Sequence, residues 1–242
     1  MQQPATAHGV ATRVERHLRA AFAVPRRPEP VEGPTALRRR RIVVTAVTVV
    51  GAAVLGWSLN VEPGSGWFYA ATLVLAGVWT AGAFASGPLH LGRIGRMPDA
   101  GRPVLPSTLV GLALAALFVI GALVVREIPA LGDAVEGVLA YAREGVGPVV
   151  VLVTVVNGVA EELFFRGAMF AAVSSRTAVL VTTAVYTLAS VASGNLILGL
   201  AAMLLGAVVG MERRASGGVL APILTHVTWS TVMLLVLPAL FP

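Results

Sequence analysis

Residues 146–173 read VGPVVVLVTVVNGVAEELFFRGAMFAAV, an apolar run that contains two adjacent glutamates and one arginine. The run is longer than the roughly 20 apolar residues that a helix needs to cross a bilayer, so it predicts a membrane-spanning helix. An ionised side chain at the centre of such a helix costs about 3 kcal/mol and usually marks a functional site. One stretch therefore predicts both a membrane protein and the place of its site.

The composition of the whole chain agrees with this prediction. It is 56% hydrophobic and 12% charged, whereas soluble domains hold about 25% charged residues. Cysteine is absent, which excludes disulfides, thiolate metal sites and a cysteine nucleophile. All eighteen basic residues are arginine, and together with the absent cysteine this indicates a bacterial source.

The net charge of +6 lies in residues 1–41, which hold nine arginines and three glutamates. These residues are rich in proline and carry no long apolar run, so we predict a disordered basic cytosolic tail. A basic segment beside a membrane span follows from the positive-inside rule and from anionic lipids, so we expect the bilayer and not nucleic acid as partner.

The rest of the chain, 42–242, is predicted to be one all-α, polytopic transmembrane helical bundle. Segment 130–142 is left open, either as a surface helix or as a half-buried eighth piece. The two short runs flanking Gly194 predict a tight helical hairpin. The seven predicted spans lie at 42–59, 67–86, 105–125, 146–173, 177–193, 195–211 and 218–240.

Loop charges predict the orientation of these spans. Arginines lie at 38–41, 93–102, 176 and 213–214, and all four positions fall on one side of the membrane. The positive-inside rule then predicts a plasma-membrane protein with a cytosolic N-terminus and an external C-terminus.

Helical spacing separates the three charges of the 146–173 run. Glu162 and Arg166 are four residues apart with the acid first, which favours an ion pair. Glu161 is left over, about 100° around the helix, and shares a face with Asn157. We interpret Glu162 and Arg166 as structural and Glu161 as chemical. The alternative is that the span ends early and all three side chains snorkel at the interface.

Polar side chains in the later spans help to decide between a functional site and snorkelling side chains. His226 is the only histidine in a predicted span, and Ser230 lies one turn after it on the same face. Tyr186 and Ser190 continue a polar stripe that begins at Thr182. A lone histidine and such hydroxyls also occur as packing residues and helix–helix contacts, so by themselves they do not predict catalysis.

Two segments resemble a known family. EELFFRG at 161–167 is similar to the E-E-x-x-x-R motif of the CPBP family, the CAAX prenyl endopeptidases and their bacteriocin-processing relatives. GMERRASGGVLAPILTHVTWS at 210–230 resembles a later region of that family, in which A-P-I-x-x-H follows a basic loop. The resemblance covers about 146–236 and implies an intramembrane endopeptidase acting on a membrane-anchored protein or peptide.

The resemblance also implies roles for residues. Glu161 is the expected general base that activates water, with Glu162 and Arg166 as its supports. His226 is the expected donor to the oxyanion. The family allows zinc, but a set of one glutamate and two histidines is not available in these spans, so no cofactor is expected.

Two positions depart from the family pattern. The F-x-x-x-H motif aligns with YTLAS at 186–190, which places Tyr186 for phenylalanine and Ser190 for histidine. The H-x-x-x-N motif becomes HVTWS, which places Ser230 for asparagine. A serine can still donate a hydrogen bond to an oxyanion, but Ser190 cannot replace an imidazole. Asn157, Tyr186 and Asn195 are candidates to compensate.

Three hypotheses remain open after these departures. The first is an active glutamate-dependent membrane protease. The second is a catalytically degenerate relative that acts as a membrane binding, regulatory or immunity-type protein. The third is a carrier in which Glu161 and His226 relay protons, which the resemblance and the lack of an internal repeat disfavour.

Overall fold

The computed structural model describes residues 32–93, 101–173 and 176–241. Its secondary structure over these residues is helical, and the predicted all-α polytopic fold is confirmed. Most of the predicted tail, residues 1–31, lies outside the described part. The helices are α1 (Pro34–Ser58), α2 (Gly66–Ser86), α3 (Val104–Val125), α4 (Pro129–Arg143), α5 (Gly147–Ala172), α6 (Ala178–Val191), α7 (Leu196–Ser216) and α8 (Leu220–Val236).

Six of the seven predicted spans are long enough to cross a membrane. By length and composition α1, α2, α3, α5, α7 and α8 qualify among the described residues, the last together with the short turn that follows it. The seventh, α6, is apolar but has only 14 residues, or about 21 Å. The open segment at 130–142 is α4, whose Val135 and Leu139 are buried while Asp133 and Glu136 are exposed.

The boundary between tail and bundle lies earlier than predicted. The helix α1 begins at Pro34, inside the segment 1–41 that we predicted to be disordered, because proline suits the first helical position and Arg40 is anchored. The Arg40 guanidinium is buried and donates to Glu32, to Ser86 Oγ at 3.1 Å and to the Pro88 carbonyl at 3.2 Å.

The helix α5 lies in the middle of the bundle. It packs on α2 and on α8, while α6 packs on α7 and α3 packs on α8. On the α2 side, the Trp79 ring lies 4.7 Å from the Phe164 ring and 5.1 Å from the Phe165 ring. On the other side, α8 carries His226. This central position surrounds the glutamates of α5 with protein.

The predicted hairpin of α6 and α7 is present. Gly194 has a φ of +87°, a left-handed conformation that favours glycine. Asn195 then caps α7, because its Oδ1 accepts from the backbone N–H of Ile197 at 2.9 Å and of Leu198 at 3.2 Å.

The helix α5 is not regular along its length. Residues Gly147–Glu161 are α-helical, Glu162–Met169 form a π-helix, and Phe170–Ala172 return to an α-turn. π-Helical segments are rare and often occur at functional sites. Here the wider turns begin at Glu162, so the irregular backbone coincides with the charged motif.

Candidate functional site

Glu162 lies at the contact between α5 and α8. Its side chain and that of Arg166 are 0% exposed, and Arg166 Nη1 donates to Glu162 Oε1 at 3.2 Å. The predicted ion pair is therefore formed. His226 Nδ1 lies 2.7 Å from the same oxygen. Because the pair is fully buried, the alternative that these two residues snorkel at an interface is wrong.

The protonation of His226 decides what its second nitrogen can do. When Nδ1–H donates to the Glu162 carboxylate, Nε2 carries a proton only in the imidazolium form. In that form Glu161, Glu162, Arg166 and His226 sum to zero charge. A buried cluster with no net charge avoids the large desolvation cost of an uncompensated ion. With Nδ1 bound to Glu162, Nε2 is the ring nitrogen of His226 that stays available to a ligand.

Glu161 forms its hydrogen bond with α6. Its Oε2 accepts a hydrogen bond from the Tyr186 hydroxyl at 2.6 Å. The side chain is only partly buried, and no described residue donates to Oε1. The two adjacent glutamates therefore have different partners: Glu162 is bound by Arg166 and His226 and is fully buried, whereas Glu161 is bound by Tyr186 and stays partly exposed.

The other predicted supporting residues direct their hydrogen bonds to their own helices. Asn157 Nδ2 donates to the Val153 carbonyl at 2.9 Å. Ser190 Oγ donates to the Tyr186 carbonyl at 3.0 Å, and Ser230 Oγ donates to the Val227 carbonyl at 3.3 Å. Neither serine offers its proton to Glu161 or His226 in this conformation.

Asn157 nevertheless leaves one polar atom available. Its Oδ1 is buried and has no hydrogen-bond partner among the described residues. Asn157 lies one turn before Glu161, and the next residue, Gly158, leaves space beside the His226 ring: a Cβ at Gly158 would sit 3.7 Å from Nε2. The unpartnered Oδ1 of Asn157 and the space that Gly158 leaves beside the His226 ring thus come from adjacent residues of α5.

Arg213 was missed by the sequence analysis. Its Nε donates to the Arg166 carbonyl at 2.6 Å, and its guanidinium lies 4.8 Å from the centre of the Phe170 ring. The sequence predicts that the sixth span ends at residue 211 and that Arg213 and Arg214 lie in a loop. The helix α7 instead continues to Ser216 and buries Arg213 against α5.

Glu212 was missed for the same reason. It is 1% exposed, and neither carboxylate oxygen has a hydrogen-bond partner among the described residues. A glutamate directly after a long apolar run is the sequence feature that could have identified Glu212 as a buried acid. Glu212 is a third buried carboxyl next to the motif.

Zinc, which the family allows, does not fit the residues present. Within the described parts of the chain, no three side chains of His, Asp or Glu converge to hold a metal ion. His226 Nδ1 is occupied by Glu162, and Ser190 stands where a second imidazole is expected. No step of the chemistry below uses a metal.

Apolar helices of membrane-spanning length that enclose a carboxylate–arginine–histidine cluster define a multi-pass membrane protein with a buried polar site. The sequence model of one family, described as type II CAAX prenyl endopeptidase Rce1-like, matches residues 144–232. The matched segment carries both Glu161 and His226, and the match supports the resemblance to the CPBP family. No curated protein and no solved structure matches the chain.

Proposed function

We propose that the protein is a membrane-embedded endopeptidase of the CAAX-protease type that cleaves a membrane-anchored protein or peptide. The carrying observation is the unequal bonding of the two glutamates. Glu162 is fully buried and bound through Oε1 by Arg166 and His226, while Glu161 is partly exposed and accepts, among the described residues, only from the Tyr186 hydroxyl. The match to the Rce1-like family over both motifs supports the same conclusion.

The proposed reaction uses water. Glu161 Oε1 takes a proton from the water as its oxygen bonds to the scissile carbonyl carbon. The electron pair of the C=O bond moves to the oxygen, and His226 Nε2–H donates to this oxyanion. The C–N bond then breaks, and the leaving amine takes the proton from Glu161. Glu162 and Arg166 hold His226 and balance the charge throughout.

The proposed setting is the plasma membrane, with the N-terminus cytosolic and the C-terminus external. The exposed arginines Arg38, Arg39, Arg41 and Arg214 support this orientation through the positive-inside rule. The family description makes a prenylated CAAX peptide the first substrate to test, and the bilayer is the partner that brings it to the site.

A second candidate function is a catalytically degenerate relative that binds a membrane partner. The observation that favours it is the bonding of Ser190 and Ser230. Both hydroxyls donate to backbone carbonyls one turn away in their own helices, and no imidazole stands at position 190. The buried polar cluster of Glu161, Glu162, Arg166 and His226 would then serve recognition and not hydrolysis.

A reconstituted cleavage assay separates the two. In proteoliposomes that contain a prenylated CAAX peptide, the wild type should release the C-terminal fragment, and Glu161→Gln should slow this by about 10²- to 10⁴-fold, the usual contribution of a general base. Glu127→Gln, which changes an exposed glutamate in α4's preceding loop, is the matched control. Cleavage by Ser190→His alone, with an inactive wild type, supports the degenerate relative.

A further inference from the structure

Two departures from the family pattern lie one turn apart on the same face of α6. Position 186 carries a hydroxyl where the pattern has phenylalanine, and position 190 lacks the imidazole. Tyr186 and Ser190 are both buried. The first change adds a hydrogen-bond donor to the site, and the second removes a proton-bearing ring from it.

The added hydroxyl contacts the motif directly. Tyr186 donates to Glu161 Oε2 at 2.6 Å, across the contact between α6 and α5. A bond of this length between a hydroxyl and a carboxylate is in the range of charge-assisted hydrogen bonds, which are roughly twice as strong as neutral ones. It fixes the rotation of the carboxylate, because one oxygen is held and the other must point away from α6.

The Tyr186 ring is itself fixed by its surroundings. The Arg166 guanidinium lies 4.7 Å from the ring centre, in a cation–π contact. The Phe165 ring lies 4.9 Å away on the α5 side. On the α7 side, Gly206 has no Cβ, and one built there would come within 2.9 Å of Arg166 Nη2 and 3.4 Å of Tyr186 Cδ1. Contacts with α5 and α7 thus fix the ring of Tyr186 on α6, with its hydroxyl next to Glu161.

We propose that Tyr186 is the positioning residue of Glu161, in a site that lacks the imidazole expected at position 190. By binding Oε2 it selects Oε1 as the oxygen that accepts the proton from water. Ser190 supports this indirectly, because its hydroxyl donates to the Tyr186 backbone carbonyl at 3.0 Å. The inference rests on the proposed role of Glu161 as general base, so its test needs a readout that does not depend on cleavage.

Carbodiimide labelling supplies that readout. A hydrophobic carbodiimide such as dicyclohexylcarbodiimide adds to the protonated form of a carboxyl group, and peptide mass spectrometry measures the fraction of Glu161 modified over time. A hydrogen bond donated to the carboxylate favours its charged form and occupies one oxygen, so Tyr186→Phe should label several-fold faster than the wild type at the same pH. Glu161→Gln gives the background.

Tyr69→Phe is the matched control, because the Tyr69 hydroxyl also bonds at 2.7 Å but to the Val146 backbone N–H, away from the glutamates. It should label Glu161 at the wild-type rate. Equal labelling of wild type and Tyr186→Phe overturns the inference, whether or not the protein cleaves a peptide.

Kinetics on the prenylated CAAX peptide then separate this inference from the proposed function. Misplacement of a catalytic group by about 1 Å can cost about a hundredfold in rate, so Tyr186→Phe should lower kcat by up to that factor and leave KM within about twofold. A labelling difference with no cleavage by the wild type counts against the proposed function alone. Wild-type kcat in Tyr186→Phe, with cleavage present, overturns the positioning role.

Discussion

One oxygen of Glu162, Oε1, lies 2.7 Å from His226 Nδ1 and 3.2 Å from Arg166 Nη1. A single carboxylate atom therefore joins the charged motif of α5 to the histidine of α8. Because the histidine is bound by Glu162, its Nε2 is directed away from that carboxylate, and Glu161 is left to interact with α6. The division between the two glutamates is set by which neighbouring helix each one meets.

We first predict that Glu162→Gln destabilises the protein strongly. The change leaves a fully buried Arg166 without its anion, and removing one partner of a buried ion pair costs about 3–5 kcal/mol. Glu161→Gln should cost less than half of that, since Glu161 is partly exposed and its described bond is to the neutral Tyr186 hydroxyl. The measurement is the free energy of unfolding in detergent micelles.

The control for this prediction is Glu127→Gln. Glu127 pairs with Arg126 at 2.9 Å, but both side chains are largely exposed, so the loss should stay below about 1 kcal/mol. If Glu162→Gln were no more harmful than Glu127→Gln, the buried contacts of Glu162 with Arg166 and His226 would not contribute to stability as predicted.

The second prediction concerns two glycines that differ only in their surroundings. A Cβ at Gly206 would lie 2.9 Å from Arg166 Nη2, whereas one at Gly77 meets nothing within 4 Å. Gly206→Ala should therefore cost about 1–3 kcal/mol through overpacking. Gly77→Ala should stabilise α2 by about 0.5–1 kcal/mol, because alanine loses less backbone entropy in a helix. Opposite signs in thermal unfolding confirm the prediction, and equal signs contradict it.

A third prediction is a pH dependence at the start of α1. The hydrogen bond from Arg40 holds the pKa of Glu32 below its ordinary value of 4.5. A carboxyl whose pKa is lower in the folded state stabilises the protein above its unfolded pKa, and this stabilisation is lost as the pH falls through the folded pKa.

The stability difference between wild type and Glu32→Gln should therefore be largest near pH 7, and it should shrink as the pH falls below about 4. Both proteins would be unfolded in micelles over this range. A difference that stays constant with pH would show that the Arg40 contact does not depend on the charge of Glu32.

The fourth prediction concerns the attachment of α4. The Tyr141 hydroxyl lies 2.8 Å from the carbonyl oxygens of both Leu59 and Val61, in the connection between α1 and α2, and burial raises the pKa of Tyr141 above its ordinary value of 10. Tyr141→Phe should cost about 1 kcal/mol, the net worth of a typical hydrogen bond.

Alkaline titration followed by tyrosine absorbance gives a second measurement for Tyr141. Because the neutral phenol is favoured in the folded state, this contribution is present at neutral pH and is lost as the pH rises through the folded pKa. Ionisation of Tyr141 at the pH of a free tyrosine, in the folded protein, would contradict its burial.

The spans and the ion pair could be read from the sequence because both depend on local rules. The length of apolar runs is set by the bilayer, and the Glu162–Arg166 contact needs only their four-residue spacing. The partner of His226 could not be read, since it depends on how α8 packs on α5. The burial of Glu212 and Arg213 could not be predicted either. A charged residue at the end of an apolar run gives the same sequence pattern whether the helix ends there or continues among other helices.

The π-helix was also beyond the sequence analysis. Our spacing argument assumed regular α-helical turns through Arg166, but the turns widen from Glu162 onward. The ion pair forms nonetheless, because the side chains of a glutamate and an arginine are long enough to absorb the change in backbone.

The shortness of α6 makes the surrounding lipid part of the site. Its 14 residues span about 21 Å, against a hydrocarbon core of about 30 Å, and Leu180 and Leu188 are exposed along its outer side. We expect the bilayer to thin beside so short a helix, which would bring the headgroup layer and its water closer to the level of Tyr186. Shorter acyl chains in the host membrane should then ease the access of water to Glu161.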